Sequence, residues 1–414
     1  MTEGSTVTMR ERVPRVVSID ALRGLVMFTM IFVNDLAGVS KNVVPAWMRH
    51  FHGRSGMTFV DLVFPAFLFI VGMSIPLALG GRLNAGAPRR MVLFHVGLRT
   101  LALLAIGILM VNDETPGIDM SGLSPDSWAA LMFLSAIFAF CSISSSKRSW
   151  QIISASLRGF GFAGMIALAF MFRGEHGGRI ISLAPFAVHA SWYGILGLIG
   201  WAYLVGSIVF VLFRLNAAAL LGCVALLLAL YPAEQTGAFN GFWLSRYVGI
   251  GEMLGAHPSI TVAGILLASI LLPHGKADLP ARVRFTALFI LGFAAVALEL
   301  NGLYGINKNA ATPSWCLWAC AVTASVWLVF HFFSDLGPVH PMARILAIAG
   351  QNVLLAYLFS EMLPSLLDLL HLDGFYSALA EHGLAWAVAR SAGCAAVILC
   401  ATAGLNRVGF RLKL

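Results

Sequence analysis

Two histidines and two aspartates lie near the start of the chain, in a pattern that could perform acid–base or nucleophilic chemistry. Asp35 lies at the end of one apolar run, Asp61 opens the next, and His50 and His52 lie between them. A carboxylate beside an imidazole fixes the tautomer of the ring and raises its basicity. Isolated loop histidines are usually solvated surface residues, but clustering with carboxylates favours a function. The sequence predicts that all four are neighbours and makes His50, Asp61 and His52 the candidate catalytic residues.

A charged pair lies at the opposite end of the first apolar run. Asp20 and Arg23 are three residues apart, so a helix places them on one face. They could form a local ion pair, or Arg23 could line a mouth that binds a cytosolic anion through phosphate contacts. Both interpretations stay open on helix geometry alone.

Amide groups recur later in the chain beside apolar stretches. Asn307 and Asn309 flank Lys308, while Asn352 follows a glycine and a glutamine inside an apolar run. Such groups could form a polar rim that binds substrate or stabilises an oxyanion. They could equally be a loop with an asparagine helix cap and amides that bond between helices.

The composition indicates a membrane protein. Of 414 residues, 59% are apolar and only 11% are charged, and the mean hydropathy is +0.85. A soluble domain carries about 25% charged residues, so a soluble enzyme is excluded. The net charge of +8 is better explained by basic cytoplasmic loops than by nucleic-acid binding.

Known metal and nucleotide motifs are missing from the sequence. It contains no Walker loop, no HExxH, no GxSxG and no zinc-type spacing of Cys and His, and its six cysteines are scattered singly. We therefore expect no metal site and no phosphoryl-transfer chemistry.

Apolar runs along the chain predict an all-α fold, a polytopic transmembrane helix bundle of about 10–12 spans, since a span needs about 20 apolar residues. Segments 127–143 and 216–231 are the shortest and could be re-entrant. The predicted spans cover roughly 18–39, 58–79, 91–111, 127–143, 150–172, 190–213, 216–231, 258–273, 283–301, 314–333, 342–363 and 386–405.

The distribution of Lys and Arg predicts the orientation. These residues concentrate on the side of the N-terminus, which places both termini in the cytoplasm. The expected organisation is a cytoplasmic segment 1–17, a single transmembrane domain 18–405 and a cytoplasmic tail 406–414.

Five short motifs resemble the heparan-α-glucosaminide N-acetyltransferase family, a transmembrane acyltransferase group with many bacterial members. The resemblance is strong over about residues 15–80, and thin but ordered over 300–360. The motifs are SIDALRG at 18–24, FVN at 32–34, GMTFVDLVFPAFLFIVG at 56–72, NKN at 307–309 and GQN at 350–352.

The resemblance implies a specific reaction. Members of this family bind acetyl-CoA from the cytosol and pass the acetyl group to the amine of a terminal glucosamine on the lumenal side, to which the periplasm corresponds. We therefore expect an acetyl-CoA-dependent N-acetyltransferase in the bacterial inner membrane, acting on an amino sugar or related carbohydrate.

The family's key histidine follows the first motif helix, and two positions compete for it here. Strict alignment from Asp61 falls on Phe51, so a one-residue insertion selects His50 and a one-residue deletion selects His52. His50 is preferred because it follows Trp47-Met48-Arg49, which resembles the aromatic and basic approach to the family's histidine.

The resemblance also suggests binding roles for the other polar residues. Basic groups at the cytoplasmic mouth would hold the phosphates of acetyl-CoA, and Asp61 or Asp35 would orient the imidazole. The expected donor-binding residues are Asp20, Arg23, Arg89, Arg90 and Arg99. The expected acceptor-binding residues are Asn34, Asp35, Asn307, Lys308, Asn309 and Asn352.

Two other functions compete with this one. A bundle with carboxylates at membrane level could be a secondary transporter of a small solute, although most such polar groups here crowd into the first two spans. An O-acyltransferase acting on a polysaccharide or lipid hydroxyl would need the same donor site. The expected partners are acetyl-CoA, the carbohydrate acceptor and membrane lipid, with a homodimer left open and no nucleic acid.

Overall fold

The computed structural model describes residues 16–113, 122–144, 147–174, 178–183, 186–188, 192–271, 279–335 and 338–414. Most of the expected N-terminal segment 1–17 lies outside the described residues. The helices are α1 (Val17–Ala37), α2 (Val63–Asn84), α3 (Arg89–Asp113), α4 (Pro125–Ala139), α5 (Arg148–Met171), α6 (Gly194–Phe213), α7 (Ala217–Gln235), α8 (His257–Leu271), α9 (Leu279–Tyr304), α10 (Pro313–Ser334), α11 (Pro341–Ala349), α12 (Val353–Leu369), α13 (Asp373–Glu381) and α14 (Leu384–Arg407).

Short elements complete the fold. Strands β1 (Cys141–Ile143) and β4 (Phe410–Leu412) form one antiparallel pair, and β2 (Ile181–Leu183) and β3 (Phe186–Val188) form another. Single 3₁₀ turns cover Ala46–Met48, Phe59–Leu62 and Trp243–Arg246, and a π-helical turn at Ile250–Ala256 leads into α8.

The helices confirm a polytopic all-α membrane bundle. Within the described residues, ten helical segments are long and apolar enough to cross a membrane, or eleven if the bent pair α11 and α12 counts as one span. The segment predicted as span 127–143 is shorter than expected, because its helix ends at Ala139 and β1 follows. Segment 216–231 is the full-length helix α7.

The predicted span 342–363 is not one continuous helix, which corrects the sequence expectation. It breaks at Gly350–Asn352, and α11 and α12 meet there at 72°. A side chain at Gly350 would overlap the carbonyl of Asp20 on α1. Asn352 bonds to strand β4, donating from Nδ2 to the Phe410 carbonyl (3.3 Å) and accepting at Oδ1 from the Leu412 N–H (3.3 Å). The break is tolerated because hydrogen bonds from other parts of the protein satisfy the polar groups of the interrupted helix and of the Asn352 side chain.

Two ends of the bundle are defined by the first helix. We call the end at which α1 begins the Arg23 end. Strand β4 lies at this end, because Arg23 donates to the Gly350 carbonyl (3.4 Å) and the nearby Asn352 bonds to β4. The segment predicted as the tail 406–414 therefore folds back onto the bundle. At the opposite end, α1 leads into the loop of residues 38–58, which carries His50 and His52 and is called the histidine loop. We call this the His50 end.

Helices α2 and α8 are in backbone contact at the centre of the bundle. A side chain at Gly72 would overlap the Thr261 carbonyl, and one at Gly264 would overlap the Phe69 carbonyl. The Thr261 hydroxyl donates to the Leu68 carbonyl at 3.2 Å. Small residues allow this approach, because transmembrane helices associate through close packing rather than through a hydrophobic driving force.

Replacing Gly72 by valine is expected to destabilise the protein by at least about 1–3 kcal/mol, the usual cost of overpacking a core. The added Cβ overlaps the Thr261 backbone carbonyl in every rotamer, so α8 must move away from α2. Thermal unfolding in detergent micelles measures the change. Gly159→Val on α5 is the matched control, since an added Cβ there meets no atom within 4 Å. Equal stability of the two variants would contradict the close α2–α8 contact.

Candidate active site

Asp61 is the fixed centre of the polar cluster at the His50 end. It lies in the 3₁₀ turn Phe59–Leu62, and only 1% of its side chain is exposed. Its Oδ2 accepts the backbone N–H groups of Phe51 (3.1 Å) and Thr58 (3.0 Å), and Thr58 caps the same turn. Because these donors fix Oδ2, the orientation of the carboxylate and the position of Oδ1 are fixed as well.

That second oxygen meets His50. The Nδ1 atom of His50 lies 2.9 Å from Asp61 Oδ1, and the imidazole is about one-third exposed, at 33%. When Nδ1–H donates to the carboxylate, Nε2 carries the lone pair and can accept a proton or attack a carbonyl. His52 is exposed and makes none of the Asp61 hydrogen bonds.

Lys308 is the third member of this cluster. Its Nζ lies 3.1 Å from His50 Nδ1 and is brought there by the loop between α9 and α10. Burial lowers the pKa of Lys308, and the Asp61 carboxylate partly opposes that change. Nδ1 can donate to Asp61 or accept from Lys308, but not both. The protonation state of Lys308 therefore bears on which imidazole nitrogen carries the proton.

The Lys308 loop is attached directly to the histidine loop. The Gly56 N–H donates to the Ile306 carbonyl (2.8 Å), and the Ile306 N–H donates to Ser55 Oγ (3.0 Å). Asn307 accepts from the Ala310 N–H at 3.0 Å and so shapes the turn. Asn309 is exposed beside it. The expected acceptor-binding residues at 307–309 thus lie at the edge of the His50 cluster.

Asp35 is not bonded to His50, contrary to the expected grouping. Its Oδ2 accepts from Arg390 Nη2 (2.9 Å) and from the Ser391 hydroxyl (2.5 Å), and its Oδ1 accepts from the Tyr376 hydroxyl (2.6 Å). Asn34 donates to Glu361 on α12 at 3.0 Å. In this structure Asp35 joins α1 to α13 and α14, since its partners come from the last part of the chain.

A cavity of about 510 Å³ opens at the Arg23 end, between α1, α2, α3 and α6. Its basic lining residues are Arg23, Arg82, Arg99 and Lys413, and deeper lining residues include Met30 and Phe67. Four cations around one cavity form a site suited to an anion that carries several phosphates.

Two of these arginines are held in place. Arg23 donates to Asp20 Oδ1 (2.9 Å) and to Ser74 Oγ (2.7 Å), so the local ion pair and a place in the cavity wall coexist. The Arg99 guanidinium lies 4.8 Å from the centre of the Tyr203 ring, within cation–π distance. Pre-positioned guanidinium groups lose less freedom when they bind an anion.

The structure sorts the expected donor-binding residues. Arg23 and Arg99 line the cavity, whereas Arg89 and Arg90 are exposed at the start of α3 and Asp20 acts through Arg23. Asn352, expected near the acceptor, lines this cavity instead, because the break in the α11–α12 span lies at the Arg23 end.

Sequence reasoning missed Arg82 and Lys413 as cavity residues. For Arg82 a signal existed, since a cation just beyond the end of the predicted span 58–79 lies at the Arg23 end. For Lys413 there was none, because β4 is placed beside the cavity by tertiary contacts with β1 and Asn352.

The cavity points toward the His50 cluster without reaching it. Its lining residues on α2 extend from Arg82 to Phe67, and neither His50 nor Asp61 is among them. At about 1.5–2 Å of rise per residue, Phe67 lies about 10 Å from Asp61 along the helix. One helix, α2, therefore carries both the cavity wall and the approach to the buried carboxylate.

Metal ligands do not gather at either end in the part of the chain that the structure describes. Among the described residues, no group of three or more His, Cys, Asp or Glu side chains is placed to hold a metal ion. The chemistry of the cluster is that of an imidazole, a carboxylate and an amine.

Comparison with known proteins gives two kinds of match. Heparan-alpha-glucosaminide N-acetyltransferase of Homo sapiens is 36% identical over 99 residues, which is 24% of this chain and 14% of the relative. The protein of the same name from Mus musculus is 34% identical over 105 residues, 25% of this chain and 15% of the relative. The chain thus matches about one-seventh of the length of these curated relatives, and the resemblance deduced from the motifs is confirmed.

The second match is to a protein family. The DUF5009 family, described as a domain of unknown function, matches residues 15–244. These residues hold α1 to α7, and with them the His50–Asp61 pair and Arg23, Arg82 and Arg99. Because the match covers more than half of the sequence, this membrane-spanning chain belongs to the DUF5009 family.

Proposed function

We propose that this protein is a membrane-embedded acetyltransferase that moves the acetyl group of cytosolic acetyl-CoA to an amino sugar or related carbohydrate on the periplasmic side of the bacterial inner membrane. One observation carries the proposal. A basic cavity at the Arg23 end and a His50–Asp61 pair at the other end are joined by the same two helices, α1 and α2.

The cavity supplies what the donor requires. Coenzyme A carries a pyrophosphate and a 3′-phosphate, and the cavity is lined by Arg23, Arg82, Arg99 and Lys413. The long and mildly polar pantetheine arm of coenzyme A would run past apolar residues such as Met30 toward the His50 end. The excess of Lys and Arg on the Arg23 side supports a cytoplasmic position for this mouth.

His50 supplies the chemistry. As a general base, Nε2 removes a proton from the acceptor amine while the amine attacks the thioester carbonyl and the thiolate of coenzyme A leaves. As a nucleophile, Nε2 attacks the thioester carbonyl and takes the acetyl group as the thiolate of coenzyme A leaves; the amine then attacks the acetyl-imidazole, which releases the neutral imidazole as the amine proton passes to solvent. In both routes Asp61 holds Nδ1–H and stabilises the imidazolium. The names of the curated relatives support N-acetyl transfer, and their matches cover about a quarter of this chain.

Acetyl-CoA is expected to stabilise the purified protein against heat, because a ligand at 100 times its Kd adds about 2.7 kcal/mol. Arg99→Ala is expected to weaken binding about tenfold or more, since a charge-assisted contact contributes about 1.5–3 kcal/mol. Thermal shift titration with acetyl-CoA and coenzyme A measures both.

Arg89→Ala on the same helix is the matched control, because Arg89 is exposed and lies outside the cavity wall. It should leave the acetyl-CoA titration unchanged. The absence of any thermal shift at millimolar acetyl-CoA, or equal losses in Arg89→Ala and Arg99→Ala, would overturn the proposed donor site.

A further inference from the structure

A second cavity, of about 760 Å³, forms an apolar groove between α7, α8 and α9. Its lining is almost entirely hydrocarbon, and it is separate from the cavity that contains Arg23. We call it the α7–α9 groove. Its lining extends along α7 from Ala217 to Pro232 and along α9 from Phe285 through Gly292 to Tyr304, with other residues from α8 and α10.

The groove is as long as a bilayer core is thick. On α9 its lining extends from Phe285 to Tyr304, which is about 28 Å at the helical rise of about 1.5 Å per residue. The hydrocarbon core measures about 30 Å, so one leaflet accounts for about half of this length. An ordinary acyl chain would fill only part of the groove, whereas a long polyisoprenyl chain could follow all of it.

One end of the groove adjoins the His50 cluster. Its lining residues Tyr304 and Pro313 flank the loop that carries Lys308, which lies 3.1 Å from His50 Nδ1. That loop is bonded to the histidine loop through Ile306 and Gly56. A head group attached to a chain in the groove would therefore emerge beside the imidazole.

Positive charge is available where such a head group would sit. Lys308 is in the loop itself, and Arg54 is an exposed residue whose carbonyl accepts from Asn307 Nδ2 at 3.5 Å. A polyisoprenyl-linked sugar carries phosphate between chain and sugar, and basic residues at the membrane interface attract that charge.

We infer that the α7–α9 groove binds the polyisoprenyl chain of a membrane-anchored acceptor, so that its phosphate-linked amino sugar reaches His50. The inference rests on the proposed acetyl transfer and names the acceptor class. The chain is held by close packing against the groove wall, and the head group is positioned by the loop between α9 and α10.

The test uses the full-length protein in nanodiscs with three glucosamine acceptors. They are polyprenyl-phosphate-linked glucosamine, glucosaminyl phosphatidylinositol and free glucosamine. We expect kcat/KM for the polyprenyl-linked acceptor to exceed the other two by at least about tenfold, since a chain packed along the whole groove makes more van der Waals contacts than a shorter acyl chain, and free glucosamine has no chain to hold it there. Gly292→Trp, which fills the open groove wall, should remove this preference and leave the rate on free glucosamine unchanged.

Gly222→Trp is the matched control. Gly222 is exposed on α7, has no atom within 4 Å of an added Cβ and does not line the groove. It should keep the preference for the polyprenyl-linked acceptor. Equal rates on all three acceptors, a preference for the phosphatidylinositol acceptor, or equal effects of the two tryptophan variants would overturn the inference.

A binding experiment separates this inference from the proposed reaction. Polyprenyl phosphate carrying a diazirine should label peptides of α7 and α9, and Gly292→Trp but not Gly222→Trp should abolish that labelling. If no acceptor is acetylated while this labelling pattern is found, the proposed reaction fails and the groove assignment stands. Labelling that misses α7 and α9, or that survives in Gly292→Trp, overturns the groove assignment whatever the activity.

Discussion

His50→Ala is expected to lower kcat for acetyl transfer by about 10²–10⁴, the usual contribution of a positioned acid or base. The imidazole is the group that Asp61 orients, and alanine leaves no atom to move the proton or carry the acetyl group. The measurement is single-turnover transfer from labelled acetyl-CoA to glucosamine. Thermal stabilisation by acetyl-CoA should persist, because His50 lies outside the basic cavity.

His52→Ala is the matched control for this experiment. His52 is exposed two residues away and is not bonded to Asp61, so its loss should change the rate little. Asp61→Asn should lower the rate as well, since the amide no longer stabilises the imidazolium. A fully active His50→Ala variant, or an inactive His52→Ala beside an active His50→Ala, would move the catalytic assignment.

Arg390→Met is expected to destabilise the protein by about 3–5 kcal/mol, the cost of leaving a buried charge without its partner. The Arg390 and Asp35 side chains are only 7% and 11% exposed, and the guanidinium donates to Asp35 from both Nε (3.2 Å) and Nη2 (2.9 Å). Unfolding in detergent micelles followed by tryptophan fluorescence measures the loss.

The double variant Asp35→Asn with Arg390→Met should recover part of that stability, because it removes the unpaired carboxylate as well. Arg246→Met is the control for loss of an exposed arginine at the same end. If Arg390→Met were as stable as the unmodified protein, the Asp35–Arg390 pair would not hold α13 and α14 to α1.

Hydropathy predicted the bundle well because spanning a bilayer imposes a length and a composition on every helix. The break at Gly350–Asn352 was not predictable in this way. Its apolar flanks look like one span, and the reason for the break is tertiary, since Gly350 packs on Asp20 and Asn352 bonds to β4. Strand β1 was hidden for the same reason, because its partner lies at the other end of the chain.

In the candidate site, contacts between residues close in sequence could also be predicted, whereas contacts between distant segments could not. His50 and Asp61 are eleven residues apart, and local order together with the motif pattern was sufficient to group them. Lys308 was singled out as a loop cation, but its contact with His50 depends on the meeting of two loops far apart in sequence. The hydrogen bonds between Asp35 and Arg390 could not be predicted, because no local pattern pairs residues that lie so far apart in sequence.

The glycine contacts have a mechanical consequence for the basic cavity. Gly72 and Gly264 lock α2 to α8, while Gly107 and Gly197 bring α3 and α6 together in the same way. The cavity is lined by α2 from the first pair and by α3 and α6 from the second, together with α1, residues 350–357 and the end of the chain. Since closely packed backbones resist sliding, we expect each helix pair to stay rigid when a bulky nucleotide enters the cavity, so that any opening involves movement between elements rather than a rearrangement within either pair.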